Sequence, residues 1–286
     1  GEDTNAPLKI AEMFYTKNGV PIKEDITWDY NGRNSLRTGT AADQLEIRNG
    51  YTTAKLNFDR EPRFYADLGF DGGVWYGQGK FDDTKPLDLF YVMGKRGQLN
   101  GMSNPAFGPI TGYSIKKYVH YQNVQGRVGE YTLFAYPFPL IRLADLYLSY
   151  AEALNESEGP GAEVYKYVNM VRARAGLNSV ESSWSQFSSN PTKFETPVGM
   201  REIIHHERLI GLAFEGHRFW DLRRWKEAAR ELNNPIKGWS IHQETAANYY
   251  RPTTIWNQTF GLKDYFFPIS EVNLTGNSNL VQNTGW

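Results

Sequence analysis

Residues 141–156, "IRLADLYLSYAEALNE", place Ala144, Tyr147, Leu148, Ala151 and Leu154 at i, i+3, i+4 and i+7 spacings, the pattern of an amphipathic helix. "ESEGPG" interrupts that pattern. Residues 162–177, "AEVYKYVNMVRARAGL", then restore it with Val164, Tyr167, Val168, Val171 and Ala175 on one face. Gly176 falls where a helix ends in a left-handed residue, with Leu177 free to fold back on Val171. Two helices of this length, a short loop and small alanines at the crossing predict a hairpin of the tetratricopeptide kind.

Working outward, a Ser/Thr/Asn-rich linker leads to a third helix whose first residue is read as Pro197, since proline suits that position. The helix carries "GMREIIHHERLIGLAFEG" and runs, straight or through a bend at Gly216, into "HRFWDLRRWKEAAREL". From residue 233 the tail is rich in Pro, Asn, Gly and Thr. The first 131 residues show little helical periodicity; short apolar stretches such as "YTTAKLNF" alternate with turn signals such as "NG" and "DGG". The expected fold is mainly α, with tetratricopeptide-like hairpins supporting a loop-rich region with short strands. Residues 1–138 form the loop-rich, ligand-facing part and 139–286 the helical part with its irregular tail, integrated as one domain.

Bulk properties narrow the function. A formal net charge of −1 gives no basic field for nucleic acid or acidic lipid. The absence of cysteine excludes disulfides, thiolate metal sites and cysteine nucleophiles. The apolar run 131–154 is broken by Pro137, Pro139, Arg142, Asp145 and Glu152 and cannot span a bilayer. The 15% aromatic content serves either a large core or the stacking of amphipathic ligands such as sugars.

Motifs for phosphate, dinucleotide and calcium binding fail on spacing. His205 and His206 are adjacent and point about 100° apart on a helix, which argues against a shared metal. The stretch 214–228, "FEGHRFWDLRRWKEA", packs eight charged or ionisable side chains into fifteen residues. Glu207 and Glu215 could be read as paired acids for glycoside cleavage. On one continuous helix, however, they stand about 12 Å apart, outside the ~5–9 Å such chemistry uses. The alternative is a brace in which Glu207, Glu215 and Asp221 meet Arg218, Arg224 and nearby arginines at i, i+3 and i, i+4 spacings. On that reading Arg218→Ala costs several kcal/mol, about what an unpaired buried carboxylate costs. Trp220 and Trp225, on the same stretch, are read as core.

Several segments in order, "FDREPRFYADLGFDGGVWYG", "TGYSIKKYV", "FPLIRLADLYLSYAEALNE", "VNMVRARAGL", "REIIHHERLIGLAFEGHRFWDLRRW" and "FFPISEVNLTGNSNLVQNTGW", strongly resemble the SusD/RagB family of Bacteroidetes. The helical segments and the tail are similar to that family's C-terminal half. The resemblance implies no catalysis, no cofactor and no metal. It implies a surface-exposed outer-membrane lipoprotein that captures oligosaccharides, or peptides in the RagB branch, for a SusC-like TonB-dependent transporter. Membrane attachment would be only through a lipidated cysteine absent from this sequence. Family members are usually about twice as long, so the chain resembles a fragment. The tail departs slightly, with "FPIS" and "NSNL" where the family more often has "PIP" and "NPN".

The family's ligand platforms vary between members, so candidate residues rest on local physics. Trp75 and Tyr76 come first, because flanking glycines allow two adjacent rings to project. Trp28 and Tyr30 follow, since i, i+2 spacing in an extended segment puts both on one face. Asn31, Arg33 and Asp71 are expected to bond sugar hydroxyls beside them. The plainer alternative is that these rings pack the loops onto the helices. Trp184, Trp239 and Trp256 stay open. Beside glycan capture stand two other readings, a glycoside hydrolase and a helical scaffold that binds only protein.

Overall fold

This computed structural model describes residues 5–75, 77, 89–101, 109–125 and 130–286. The loop-rich part contains α1 (Leu8–Met13), β1 (Leu36–Thr38), β2 (Thr52–Ala54), α2 (Pro62–Asp67), β3 (Leu68–Phe70), β4 (Tyr113–Ile115), β5 (Val124–Gln125) and β6 (Tyr131–Thr132). The helical part follows with α3 (Leu143–Glu158), α4 (Ala162–Arg174), α5 (Val180–Phe187), α6 (Pro197–Gly211), α7 (His217–Arg224) and α8 (Ala228–Leu232). The tail adds β7 (Pro235–Trp239), α9 (Ala246–Tyr249), β8 (Pro252–Asn257) and α10 (Glu271–Gly276). Among the described residues the strands form antiparallel pairs only, β1–β2, β3–β4, β5–β6 and β7–β8. The chain is mainly helical, with paired helices supporting short strands and loops.

α3 and α4 pack as the hairpin that their apolar stripes predict, and α6 packs across α3. Leu148, Ala151, Val164 and Val168 are buried between them. Gly176 (φ 76) ends α4 in a left-handed turn: its N–H donates to the Ala173 carbonyl and that of Leu177 to the Arg172 carbonyl, both at 3.0 Å. This is the Schellman arrangement, and Leu177 is buried beneath it. Pro197 opens α6, and the Thr196 hydroxyl caps it by accepting from the Gly199 N–H at 3.1 Å. Beyond Gly211 the chain does not continue straight. It turns through residues 212–216, with Phe214 (φ 65) and Gly216 (φ 84) in the left-handed region, before α7 begins.

One apolar cluster joins both parts, with Tyr15, Phe64 and Tyr113 from the loop-rich region packed with Leu148, Val168 and Ile204 from the helices. The irregular backbone comes close enough to the helices to need glycine at Gly19 (φ 75). A Cβ there would lie 2.5 Å from Arg172 Nη2.

Candidate functional site

The charged stretch resolves into buried pairs. Glu207, fully buried on α6, accepts from Arg172 of α4 at 2.6 Å and from Arg63 of α2 at 3.0 Å. Burial alone would push the Glu207 carboxyl up, but the two guanidiniums outweigh it and hold it below the ordinary glutamate value. Arg172 also donates to the carbonyls of Gly19 and Asn178 and to Ser183 Oγ. Asp221 of α7 sits between Arg208 (3.0 Å) and Arg224 (2.9 Å), and Arg208 reaches on to Asp145. Glu215 holds Arg142 and Lys117, each at 2.6 Å, while Arg224 binds Glu152.

Only Asp221–Arg224 among these follows the i, i+3 spacing read from the sequence. The others join different elements: Glu207 of α6 meets α4 and α2, Glu215 in the turn after α6 meets Arg142 and Lys117, and Arg208 of α6 meets Asp221 of α7. Arg218 corrects the sequence expectation most clearly. Its guanidinium meets Glu231 at 3.3 Å, and Glu231 also holds Lys9 at 2.8 Å, so no buried carboxylate depends on Arg218. Glu207, enclosed and held ionised, lacks the raised pKa and the access a glycosidic acid needs.

The adjacent histidines diverge as the helix geometry requires. His205 stacks on Trp225 at 3.5 Å between centroids, whereas His206 stacks on Tyr15 and meets the Met13 carbonyl. Among the described residues no cluster of three or more His, Asp or Glu is placed to hold a metal ion.

The candidate ligand residues separate into three environments. Trp75 is partly exposed; its indole lies against Gly69 of β3 so tightly that a Cβ there would meet the ring at 2.3 Å. Its N–H donates to the Phe90 carbonyl at 2.8 Å, so ring and backbone are both fixed. Tyr76 lies outside the described residues. Asp71, expected beside sugar hydroxyls, is instead only 2% exposed. It receives Lys95 Nζ and the Gly94 N–H at 2.7 Å, together with the Tyr51 and Tyr250 hydroxyls. Its partners come from far along the chain, which a reading of "FDGGVW" as a surface turn cannot anticipate.

Trp28 and Tyr30 are partly buried against the main core. The Arg33 guanidinium sits 4.2 Å over the Tyr30 ring and donates to Glu12 at 2.7 Å. Tyr30, the exposed Asn31 and Arg33 thus share one rim, where a ligand would meet the guanidinium on the covered ring face. A cleft of about 200 Å³, lined among others by Glu12, Arg33, Asn34 and Lys237, opens beside it. The Asn34 Oδ1 is buried there without a partner.

Of the tryptophans left open, Trp184 and Trp239 are core and Trp256 is 67% exposed. The i, i+3, i+4 placement of Val180, Ser183 and Trp184 in α5 was the available signal for the first. Trp220, read as core, is 59% exposed and meets Phe219 edge-on at 4.9 Å. α7 is only two turns long and spends its inner face on Asp221 and Leu222, which leaves Trp220 outside.

Known proteins share this sequence and architecture. SusD-like protein P2 of Formosa agariphila is 33% identical over 169 residues, 59% of this chain and 29% of that protein. The solved structure of BT4246 superposes with a TM-score of 0.79 at 26% identity, covering 99% of this chain and 44% of that one. A SusD-like protein of Bacteroides fragilis, BF3747, shares the fold with a TM-score of 0.70 at 24% identity, covering 99% and 47%. The chain therefore spans less than half the length of these relatives. The model of the SusD family matches residues 2–286, and the chain belongs to that family.

Proposed function

We propose that the chain is the C-terminal half of a non-catalytic, surface-exposed outer-membrane lipoprotein. It captures oligosaccharide and passes it to a SusC-like TonB-dependent transporter. The observation that carries this reading is the family match along residues 2–286, in helices and loop region alike. The absence of catalysis is supported by Glu207, whose carboxylate is spent on Arg63 and Arg172 with no path to a substrate. Among the described residues no helix is long and apolar enough to cross a membrane; attachment is through a lipidated cysteine outside this sequence.

Trp75 is the first sugar-stacking residue of the proposal. Packing on Gly69 holds the indole rigid, so little further ordering is needed when a pyranose lies on its open side. Asn31 and Arg33 form a second, polar contact point, with Tyr30 and Trp28 behind them. Tyr76 remains part of the proposed platform as the residue next to Trp75. Asp71 acts from below by fixing the loop that carries them.

The test is retardation of the purified chain in native gels containing plant, fungal, bacterial or host polysaccharides. Retardation by one glycan, abolished in Trp75→Ala, supports the reading. Retention of binding in Trp75→Ala with loss in Arg33→Ala moves the platform to the Tyr30 rim. Binding to peptides with no response to any glycan would replace glycan by peptide. Hydrolysis of an oligosaccharide, lost in Glu207→Gln or Glu215→Gln, would make the protein an enzyme.

A further inference from the structure

The cleft of about 200 Å³ beside the Tyr30 rim carries a charge opposite to that of the chain. The molecule as a whole has a formal charge of −1, whereas Lys9, Arg33 and Lys237 line this cleft with Glu12 as the one carboxylate among them. Two of the cations are compensated: Lys9 Nζ meets Glu231 at 2.8 Å, and Arg33 Nε meets Glu12 at 2.7 Å. Lys237 has no acidic partner among the described residues, so its ammonium is the charge left over.

The neighbouring groups are equally specific. Arg33 Nη1 donates to the Tyr30 carbonyl at 3.1 Å, and the guanidinium lies 4.2 Å over the Tyr30 ring. With Nε on Glu12, these contacts pin the fork and leave Nη2 without a bond among the described residues. Asn34 Oδ1 is buried without a partner. A buried acceptor left without a donor is costly, and a hydroxyl is a donor that satisfies it. Between the polar groups the walls are apolar, formed by Leu8, Pro235 and Pro252. A ligand that fits therefore carries a hydroxyl, an apolar ring face and one negative charge. The cleft is smaller than the ~300–1,000 Å³ of pockets that enclose drug-sized ligands, so it takes one ring of an oligosaccharide and not a longer stretch.

We propose that this cleft binds a uronic acid residue of the captured oligosaccharide, its carboxylate between Arg33 Nη2 and Lys237 Nζ and a ring hydroxyl on Asn34 Oδ1. The proposal rests on the capture reading above and names the class of glycan that the chain selects. A carboxylate presents two oxygens, and the cleft has two cationic donors open to them. A sulfate ester, with three, would leave one unmet. The single uncompensated ammonium also matches a single negative charge.

Calorimetric titration of the purified chain with polygalacturonate, alginate and glucuronoxylan, each beside its carboxyl-reduced form, tests this. Reduction turns the carboxylate into a primary alcohol and keeps ring and linkage, so each pair differs in charge. The expected result is binding of one acidic polymer about tenfold or more tighter than its reduced form, a preference that narrows as salt is raised. Lys237 is exposed on β7, so Lys237→Gln should keep the wild-type melting curve. It should bring the acidic polymer down to the affinity of the reduced one and leave the reduced one unchanged, while Lys237→Arg keeps the preference. Equal binding of acidic and reduced polymers by the wild type, or a preference that survives Lys237→Gln, would overturn the proposal and leave glycan capture standing. A preference for a sulfated galactan over its desulfated form, with none for any uronate, would overturn the carboxylate. Binding of polyglutamate with no response to any polysaccharide, or no binding at all, would defeat the capture reading together with it.

Discussion

Replacing Arg172 by methionine tests the buried charge network most sharply. The substitution keeps a long stem but removes every N–H that Arg172 supplies: one to Glu207 at 2.6 Å, one each to Gly19 and Asn178 carbonyls at 2.9 Å, and one to Ser183 Oγ at 2.8 Å. The bonds to Glu207, Gly19 and Ser183 are buried, where water cannot substitute; the one to Asn178, an exposed residue, is only partly so. Breaking a buried pair costs about 3–5 kcal/mol, and Glu207 keeps Arg63 at 3.0 Å, which favours the lower end. The buried Gly19 carbonyl, orphaned at about 1 kcal/mol or more, pushes the figure back up. A loss of about 4 kcal/mol lowers Tm by roughly 10 °C in a chain of this size. Arg218→Ala is the control. With Arg218 side chain 30% exposed and Glu231 retaining Lys9, it should cost under about 1 kcal/mol. The acid side adds a second readout. The folded Glu207 pKa lies below its ordinary value of 4.5, so its contribution is present above that pH and is lost as pH falls through the folded value. Wild type should therefore lose stability below about pH 4.5 more steeply than Arg172→Met. Thermal and urea unfolding followed by circular dichroism measure both. An unchanged Tm in Arg172→Met, or a fall as large in Arg218→Ala, would refute the reasoning.

Arg60 spreads its guanidinium over the carbonyls of Ala11, Phe14, Tyr15 and Leu56, at 2.6–3.2 Å. An ammonium cannot span that fork, so Arg60→Lys should cost about 2–4 kcal/mol by urea unfolding, despite keeping the charge. Burial pushes the Asp67 carboxyl up to about 6 against the pull of Lys117 and Arg63. Because the folded form holds this proton more tightly, its contribution to stability is full below the unfolded value of 3.8 and is lost as pH rises through about 6. Asp67→Asn should flatten the stability profile across that window, read from urea midpoints at several pH values. In the glycan gels, Trp75→Ala should lose retardation while keeping the wild-type Tm within a few degrees, since the ring is only partly buried. A large drop in Tm would instead make Trp75 a packing residue.

The hairpin of α3 and α4 was legible because both ends of the information lie within the helices themselves: a 3.6-residue stripe, a Gly176 cap and a Pro197 start. The brace was legible only as a density of charge. Spacing along a helix reveals partners within a turn, and here Glu207 finds Arg63 and Arg172, and Glu215 finds Arg142 and Lys117, across elements. Asp71 failed for the same reason. Turn-like neighbours argued for the surface, while Lys95 and Tyr250, 24 and 179 residues away, make its site an interior one. Trp28 and Tyr30 were expected on one face of an extended segment with Asn31 and Arg33 beside them, but the segment turns, with Arg33 N–H donating to the Tyr30 carbonyl, and the guanidinium over Tyr30 depends on that turn and on Glu12, which the pattern of residues does not encode.

The buried charges and the loop-rich architecture have one cause. A regular sheet or helix satisfies its own carbonyls, whereas irregular segments packed into an interior need donors from elsewhere. Side chains supply them here: Arg60 to four carbonyls, Arg172 to Gly19 and Asn178, and Lys116 to the Val74 carbonyl at 3.0 Å. Burial lowers the Lys116 ammonium to about 8. That amine bonds the residue immediately before Trp75, and Asp71, four residues before Trp75, is fixed by Lys95 and Tyr250. The loop carrying the proposed platform is therefore tied from beneath by charged and phenolic side chains. An indole on such a loop is held in place before any ligand arrives, by these side chains and by the backbone bonds of Val74 to Glu46 and of Trp75 to Phe90.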